Sequence, residues 1–265
     1  MHAPIPPDLQ TLIDATLPQM RARTKKFAWQ DRSLWLKKSV PDKGTFWTAI
    51  QGFTARLVSL PMLRPTTNPG GATGLSIEIS RTAAFRAAGF PAPAVIASSD
   101  SWYVMEDMGE MIDRKLQKDS SLDTAAQQAL IERCATTLAR LHQSGLAHGR
   151  AKLNDFVLTP TGEIGFIDFE EDVARSGMTL AELQARDVWL FCCSAARYDK
   201  PAVSAGFAAY RAGADDDVID ALGKFVRFAY RAAGFLGFAR PLLKGDAGRA
   251  YDATMVLFFT LYRTE

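Results

Sequence analysis

His148-Gly149-Arg150-Ala151-Lys152-Leu153-Asn154-Asp155 runs into an apolar hairpin that closes on Ile167-Asp168-Phe169-Glu170. No other stretch restricts the fold of this chain as much. Phe156-Val157-Leu158 and Glu163-Ile164-Gly165-Phe166-Ile167 have strand composition, and Thr159-Pro160-Thr161-Gly162 supplies the turn between them. Folding about that turn is expected to set Asp155 opposite Asp168. Cross-strand partners on one face lie about 5 Å apart, so the two carboxylates are placed to share a Mg²⁺ that also holds nucleotide phosphates. A surface hairpin with solvated acids is the alternative that the pair alone leaves open.

Upstream, Thr124 to His142 carries Leu130, Ile131, Cys134, Leu138 and Leu141 at helical spacing. Thr124 and Gln127 are shaped like a capping box, and Gly145 is the stop. A buried helix therefore leads into the His148 loop. Near the N-terminus, Lys25 to Lys38 reads as two strands about the polar turn Gln30-Asp31-Arg32. Side chains alternate on a strand, so Leu34 and Leu36 on one face leave Trp35 and Lys37 on the other. Ser101-Trp102-Tyr103-Val104-Met105 reads as a buried strand followed by the connector Glu106-Asp107-Met108-Gly109.

Taken in order, helix, His-Gly loop, hairpin and acidic turn resemble the C-lobe of the protein-kinase-like superfamily. Its catalytic loop runs His-x-Asp with an Asn five residues after that Asp, and its metal-binding Asp opens an Asp-Phe-Gly motif after the next strand. His148, Asp155 and Asp168 fall on these positions. The match is closest to bacterial lipopolysaccharide kinases and related small-molecule, aminoglycoside-type kinases, where His-Gly is common and Asp-Phe-Glu stands in for Asp-Phe-Gly. Two positions depart from the pattern: Arg150 stands where the family has its catalytic Asp, and Asp155 where it has a metal-binding Asn. A carboxylate is a better ligand for a hard cation than an amide, so the second change suits a metal site. The first removes the family's general base.

The resemblance implies an α+β, two-lobe fold with a small β-rich N-lobe and a larger, mostly helical C-lobe. It implies ATP and Mg as cofactors, with Asp168 and Asp155 as metal ligands. Lys37, with Lys38 in reserve, is expected on the phosphates, paired with Glu78 from the segment Glu78 to Ala88. Main-chain groups around Met105, Glu106 and Asp107 are expected to hold the adenine. His148 is expected to brace the metal motif, and Asp187, in Arg186-Asp187-Val188-Trp189-Leu190-Phe191, to brace the loop from the start of the next helix or simply to cap that helix. Residues 24 to 36 contain no Gly, so a glycine-rich phosphate loop is missing before the lysine strand. Pro69-Gly70-Gly71-Ala72-Thr73-Gly74 comes later and reads as a flexible loop that can bring amides near a phosphate.

Bulk properties agree with one cleft between two lobes, 1–105 and 106–265, with an apolar helical insertion at about 44–64. The chain has 265 residues and is 48% hydrophobic, enough for a sizeable core, and no Ser/Gly-rich or charged linker divides it. A net charge of +2 speaks against nucleic acid as a partner. Three cysteines, two of them adjacent at 192 and 193, do not form a disulfide framework and point to a reducing cytoplasm. The N-terminus does not read as a secretion signal, and no apolar run reaches about 18 residues, which argues against an integral membrane protein. The insertion, and the segment with Lys224, Arg227 and Arg231 beside Phe225, Phe228, Ala232 and Phe235, raise peripheral membrane contact as a partner class. Core packing with a solvated basic edge is the default for both.

Three functions follow from this reading. The first is an ATP-dependent phosphotransferase acting on a non-protein hydroxyl, such as a lipopolysaccharide-core sugar or another lipid-linked or small-molecule acceptor. In it Arg150 binds phosphate and a carboxylate from Glu170, Glu171 and Asp172 accepts the acceptor's proton. The second is a pseudokinase that binds nucleotide or a partner, favoured by Arg150 and the missing glycine loop. The third, a protein kinase or a nucleotidyl- or AMP-transferring variant, ranks last because the chain lacks a long activation segment.

Overall fold

A computed structural model describes residues 5–39, 62, 68–236 and 245–262, without side chains for 232–236. The expected helical insertion at 44–64 lies outside the described residues apart from Met62, which is buried.

The first lobe begins with α1 (Pro7–Thr16), which starts on a proline, where a missing N–H costs nothing. A short 3₁₀ turn follows, and then the hairpin of β1 (Thr24–Trp29) and β2 (Arg32–Lys38). Gln30 turns the hairpin with a left-handed backbone, φ 53°. Leu34 and Leu36 face α1 and close a core with Leu9, Ile13, Met20, Trp102 and Val104. Lys37 is buried on the opposite face, as strand alternation requires. Lys38 points elsewhere, donating to the Met20 carbonyl at 2.7 Å.

Pro69 to Gly74, expected as a flexible loop, instead starts a helix. Gly70, at φ 80°, precedes α2 (Gly71–Ala87), whose Gly71 to Gly74 form the first turn. The helix stops at Ala88 and Gly89, the latter at φ 83°. Next come β3 (Val95–Ser98) and β4 (Trp102–Glu106), completing an antiparallel sheet of order β1-β2-β4-β3.

The helical lobe follows. β5 (Glu110–Met111) and α3 (Ile112–Lys118) lead to α4 (Thr124–Gln143), which buries the expected residues Leu130, Ile131, Cys134, Leu138 and Leu141. Its start differs from the expected capping box: Asp123 is the N-cap, accepting from the Ala126 amide, and Gln127 donates to the Leu122 carbonyl. After the loop come β6 (Phe156–Leu158) and β7 (Ile164–Phe166), which join β5 in a small sheet. Gly165 is required there, because a Cβ would lie 2.8 Å from the Pro91 carbonyl oxygen that accepts from Phe166 N. α5 (Leu180–Ala195), α6 (Lys200–Arg211), α7 (Asp216–Leu236) and α8 (Gly245–Tyr262) complete the lobe. The chain is an α+β, two-lobe fold, as the sequence led us to expect.

In α7, Phe225 is buried while Phe228 is exposed, so the aromatic face first grouped together is divided between core and solvent. No helix among the described residues is long and apolar enough to cross a membrane.

Candidate active site

The β2 lysine forms the centre of a knot of charge. Lys37 Nζ donates to Glu78 on α2, lies 2.8 Å from Asp168 Oδ1 and 3.0 Å from Glu170 Oε1. The expected Lys37–Glu78 pair is therefore present and almost wholly buried. Burial by itself would discharge Lys37, but the charges of Glu78, Asp168 and Glu170 outweigh it and raise its pKa. Burial pushes the Glu78 carboxyl up, opposed by Lys37 and by a hydrogen bond from Tyr103. Tyr103 pairs with Lys37 across the β2–β4 ladder, which explains how its hydroxyl reaches the same carboxylate.

Asp168 sits at φ 68°, a left-handed conformation that a non-glycine residue holds only under constraint. Both its oxygens face cations: Lys37 takes Oδ1, and Arg150 Nη2 lies 3.2 Å from Oδ2. Burial would raise this carboxyl, but the Lys37 charge, reinforced by hydrogen bonds with Glu170 and Lys37 and by Arg150, holds it well below the usual range.

Asp155 differs from expectation. Register continues from Phe156↔Phe166 so that Asp155 opposes Ile167, whose amide donates to the Asp155 carbonyl at 2.9 Å. Asp168 lies one residue further along the chain, at its positive φ, and its charge still acts on Asp155. Sequence spacing set the hairpin one residue out of register, and side chains alternate faces with a period of two, so a one-residue slip matters. The Asp155 carboxylate accepts from the Lys152 amide at 3.1 Å and from Asn154 Nδ2 at 3.0 Å. Burial, then the charge of Asp168, pushes its pKa up to about 8.

This shift has a sign. Between about pH 4 and pH 8 the folded chain keeps a proton that the unfolded chain releases, so Asp155 lowers stability progressively as pH rises through that window. In metal-free buffer Asp155→Asn is expected to melt with the parent near pH 4 and above it beyond about pH 8, by about 2–4 °C for each kcal/mol relieved. Matching melting curves at both pH values would contradict this.

Among the described residues, one group of three carboxylates gathers oxygens within 4.8 Å of one another: Glu78, Asp168 and Glu170. An all-oxygen donor set suits Mg²⁺ or another hard cation. The structure thus adds Glu78 and Glu170 beside Asp168, where the sequence had paired Asp168 with Asp155. Glu170 faces Lys37 and Arg23 and lies close to Asn68 Nδ2, at 3.4 Å. Asp172 turns inward, where it accepts from the Arg175 amide, while Glu171 Oε1 lies 3.6 Å from Arg150 Nε.

His148 is fully buried. Its Nε2 donates to the Ile167 carbonyl at 2.9 Å, and its ring packs on Phe85, Phe166 and Phe169. Burial lowers its pKa to about 4, so it is neutral at physiological pH. Asp187 receives the amides of His148, Gly149 and Ala151 at 2.6, 3.0 and 3.0 Å. It braces the loop as expected, but from the middle of α5 rather than its start, where Thr179 and Glu182 form the capping box.

Sequence reading missed two contributors, Arg81 and Arg23, and left open which main-chain group of the connector is unpaired. Arg81, one turn after Glu78, donates to the carbonyls of Ala147, His148, Phe169 and Glu171, at 2.8 to 3.3 Å. Arg23 donates from Nε to the Lys38 carbonyl at 3.1 Å and reaches Glu170 and Glu78 with its two Nη atoms. In the connector, the amides of Glu106 and Asp107 donate to the Ala94 and Ser33 carbonyls, and that of Gly109 to the Asp107 carboxylate. Met105 is paired in the ladder on both sides. Among the described residues the Met108 amide has no partner, so it, rather than Met105, Glu106 or Asp107, is the donor left for a base. The Glu106 and Asp107 side chains tie the connector to Arg32, Lys26 and Trp35. Only the Arg81 position carried a sequence signal, its helical spacing from Glu78.

Residues 67–184 match the lipopolysaccharide kinase (Kdo/WaaP) family. Among solved structures, Rv3197 from Mycobacterium tuberculosis, in complex with erythromycin, is 23% identical over 56% of this chain and 42% of its own, with a TM-score of 0.36. WbdD, crystallised with the kinase inhibitor LY294002, is 18% identical over 73% of this chain and 44% of its own, with a TM-score of 0.39. The chain spans less than half the length of either. No curated protein matches it. Over residues 67–184 the chain is therefore similar to the lipopolysaccharide kinase (Kdo/WaaP) family.

Proposed function

We propose that the protein is an ATP- and Mg-dependent phosphotransferase that acts on a sugar hydroxyl, on a lipopolysaccharide-core or other small-molecule acceptor. The observation that carries the reading is the buried Lys37–Glu78 pair set against Asp168 and Glu170, the three acids lying in the segment that matches a lipopolysaccharide kinase family. Phosphoryl transfer passes through a loose, charge-rich transition state, so positioning and positive charge dominate its catalysis. Bound Mg-ATP would supply the transferable phosphoryl group and the cation that neutralises its oxygens. Lys37 would orient the inner phosphates, and Asp168, Glu170, Glu78 and Asp155 are the carboxylates that would hold the cation. The boundary between the lobes falls at 105/106 in this reading, and the Met108 amide holds the adenine edge.

Arg150 takes the place of the family's base. A planar guanidinium binds phosphate well and removes no proton, so Arg150 holds the transferring group, and Glu171, against it, receives the acceptor's proton. Below the loop, a cavity of about 330 Å³ lined by Asp113, Lys152, Asn154, Trp189, Arg197 and Arg249 offers the acceptor paired polar groups and an indole face. The three free thiols fit a cytoplasmic setting.

Turnover is expected to fall about 10²–10⁴-fold in Glu171→Gln, with ATP affinity unchanged. Unaltered turnover in that variant removes Glu171 from the scheme. A pseudokinase is the second reading, favoured by the cations on both oxygens of Asp168. Thermal shift separates the two. A kinase gains more from ATP with Mg²⁺ than from either alone and loses that gain in Asp168→Ala, whereas melting indifferent to both defeats the phosphotransferase reading.

A further inference from the structure

Superfamily members cover the triphosphate with a glycine-rich turn ahead of the lysine strand, and residues 24–36 contain no glycine. The described sheet starts at β1, with α1 rather than another strand in front of it. The β1–β2 turn is no substitute, because register carries it to the wrong end of the cleft. Leu34 pairs with Glu106 and Arg32 binds Glu106, so Gln30 and Asp31 lie beside the interlobe connector. Lys37 pairs with Thr24 at the other end, and the residue that enters β1 there is Arg23.

Arg23 is built into that end. Its main-chain carbonyl accepts from the Lys38 amide at 2.9 Å and its Nε donates back to the Lys38 carbonyl, so the stem is fixed to the lysine strand. The side chain remains 24% exposed, and its guanidinium lies on Glu170 and Glu78, carboxylates that Lys37 already contacts. Lys37, Arg23 and Arg150 thus face Glu78, Asp168 and Glu170, with Glu171 also against Arg150. A triphosphate entering beside Lys37 meets Arg23 with its two Nη groups directed into the same space. A phosphate is a better bidentate partner for a guanidinium than a carboxylate shared with a lysine.

We infer that Arg23 is the phosphate-binding residue that replaces the missing glycine turn, resting on Glu170 in the nucleotide-free protein and moving to the phosphates when nucleotide binds. Glu170 is thereby released at the moment a divalent cation arrives with the nucleotide. This assignment rests on the phosphotransferase reading above and adds to it a specific anchor for the polyphosphate.

The test compares ATP with adenosine, each titrated with Mg²⁺ by calorimetry, on the full chain as parent, Arg23→Met and Arg23→Lys. Adenosine lacks phosphates, so its binding reports any general damage to the cleft. Expected is an ATP dissociation constant raised about tenfold or more in Arg23→Met, adenosine unchanged within about twofold, and Arg23→Lys in between, since an ammonium keeps the charge but loses the fork. Equal loss of both ligands makes Arg23 a structural residue and overturns the assignment, as does unchanged ATP binding in Arg23→Met. A parent protein that binds neither ligand defeats the nucleotide reading itself, a failure distinct from the other two.

Discussion

Replacing Lys37 with methionine is expected to reduce phosphoryl transfer by about 10²–10³-fold, because the preorganised positive charge at the phosphates goes with it. The same change should destabilise the protein by about 3 kcal/mol. Breaking a buried ion pair leaves its partner charge without compensation, and here Glu78, Asp168 and Glu170 would face one another with only Arg23, Arg150 and the Tyr103 hydroxyl to hold them. Added Mg²⁺ should recover part of the stability, since three carboxylates relieved of a lysine form a stronger cation site. Denaturant unfolding with and without Mg²⁺, alongside turnover, checks all three effects. A variant as stable and as active as the parent would show that Lys37 is only a satisfied core lysine.

Arg81→Met carries the second large effect. One guanidinium satisfies four carbonyls from two separate segments, Ala147 and His148 before the loop and Phe169 and Glu171 after Asp168. Methionine keeps much of the stem and removes every donor. Hydrogen bonds to charged groups contribute about 1.5–3 kcal/mol each but do not add when they share a donor, so a total near 4 kcal/mol is expected. Lysine should not rescue, because a single ammonium cannot span both carbonyl pairs. Arg81 and Glu78 lie one turn apart on α2, so loss of Arg81 also detaches the helix that positions the Lys37 partner. ATP affinity should fall together with stability, and amides around Gly149 should exchange faster. Stability within 1 kcal/mol of the parent would mean that water replaces the guanidinium at those carbonyls at little cost.

Local chemistry explains what could be read early. The alternation Leu34, Leu36 against Lys37 fixes which lysine enters the cleft, since a strand has only two faces. The 3.6-residue spacing in α4 placed the buried helix ahead of the loop for the same kind of reason. Each depends on a period that a few residues display in full. Glycine placement was less informative. The run Gly70 to Gly74 looked like a loop, yet it caps and opens α2, because burial of Leu75, Glu78 and Phe85 on its far side outweighs the cost of glycine in a first turn.

Contacts between distant segments decided the rest. Asp155 and Asp168 were expected directly opposite each other, and the register instead sets Asp155 opposite Ile167, a difference of one residue set by β6 and β7 pairing rather than by composition. Arg23 and Glu170 are 147 positions apart, and nothing in their own neighbourhoods marks them as partners. The amide left for a base is Met108 because Ala94, Ser33 and Asp107 occupy its neighbours, a result of strand order. By itself, the sequence determined the order of elements, the inward-facing lysine and the acids that follow β7. Tertiary structure alone chose which carboxylates meet around that lysine, which arginines hold them, and which main-chain groups remain unpaired, because those depend on how separately formed pieces pack in three dimensions.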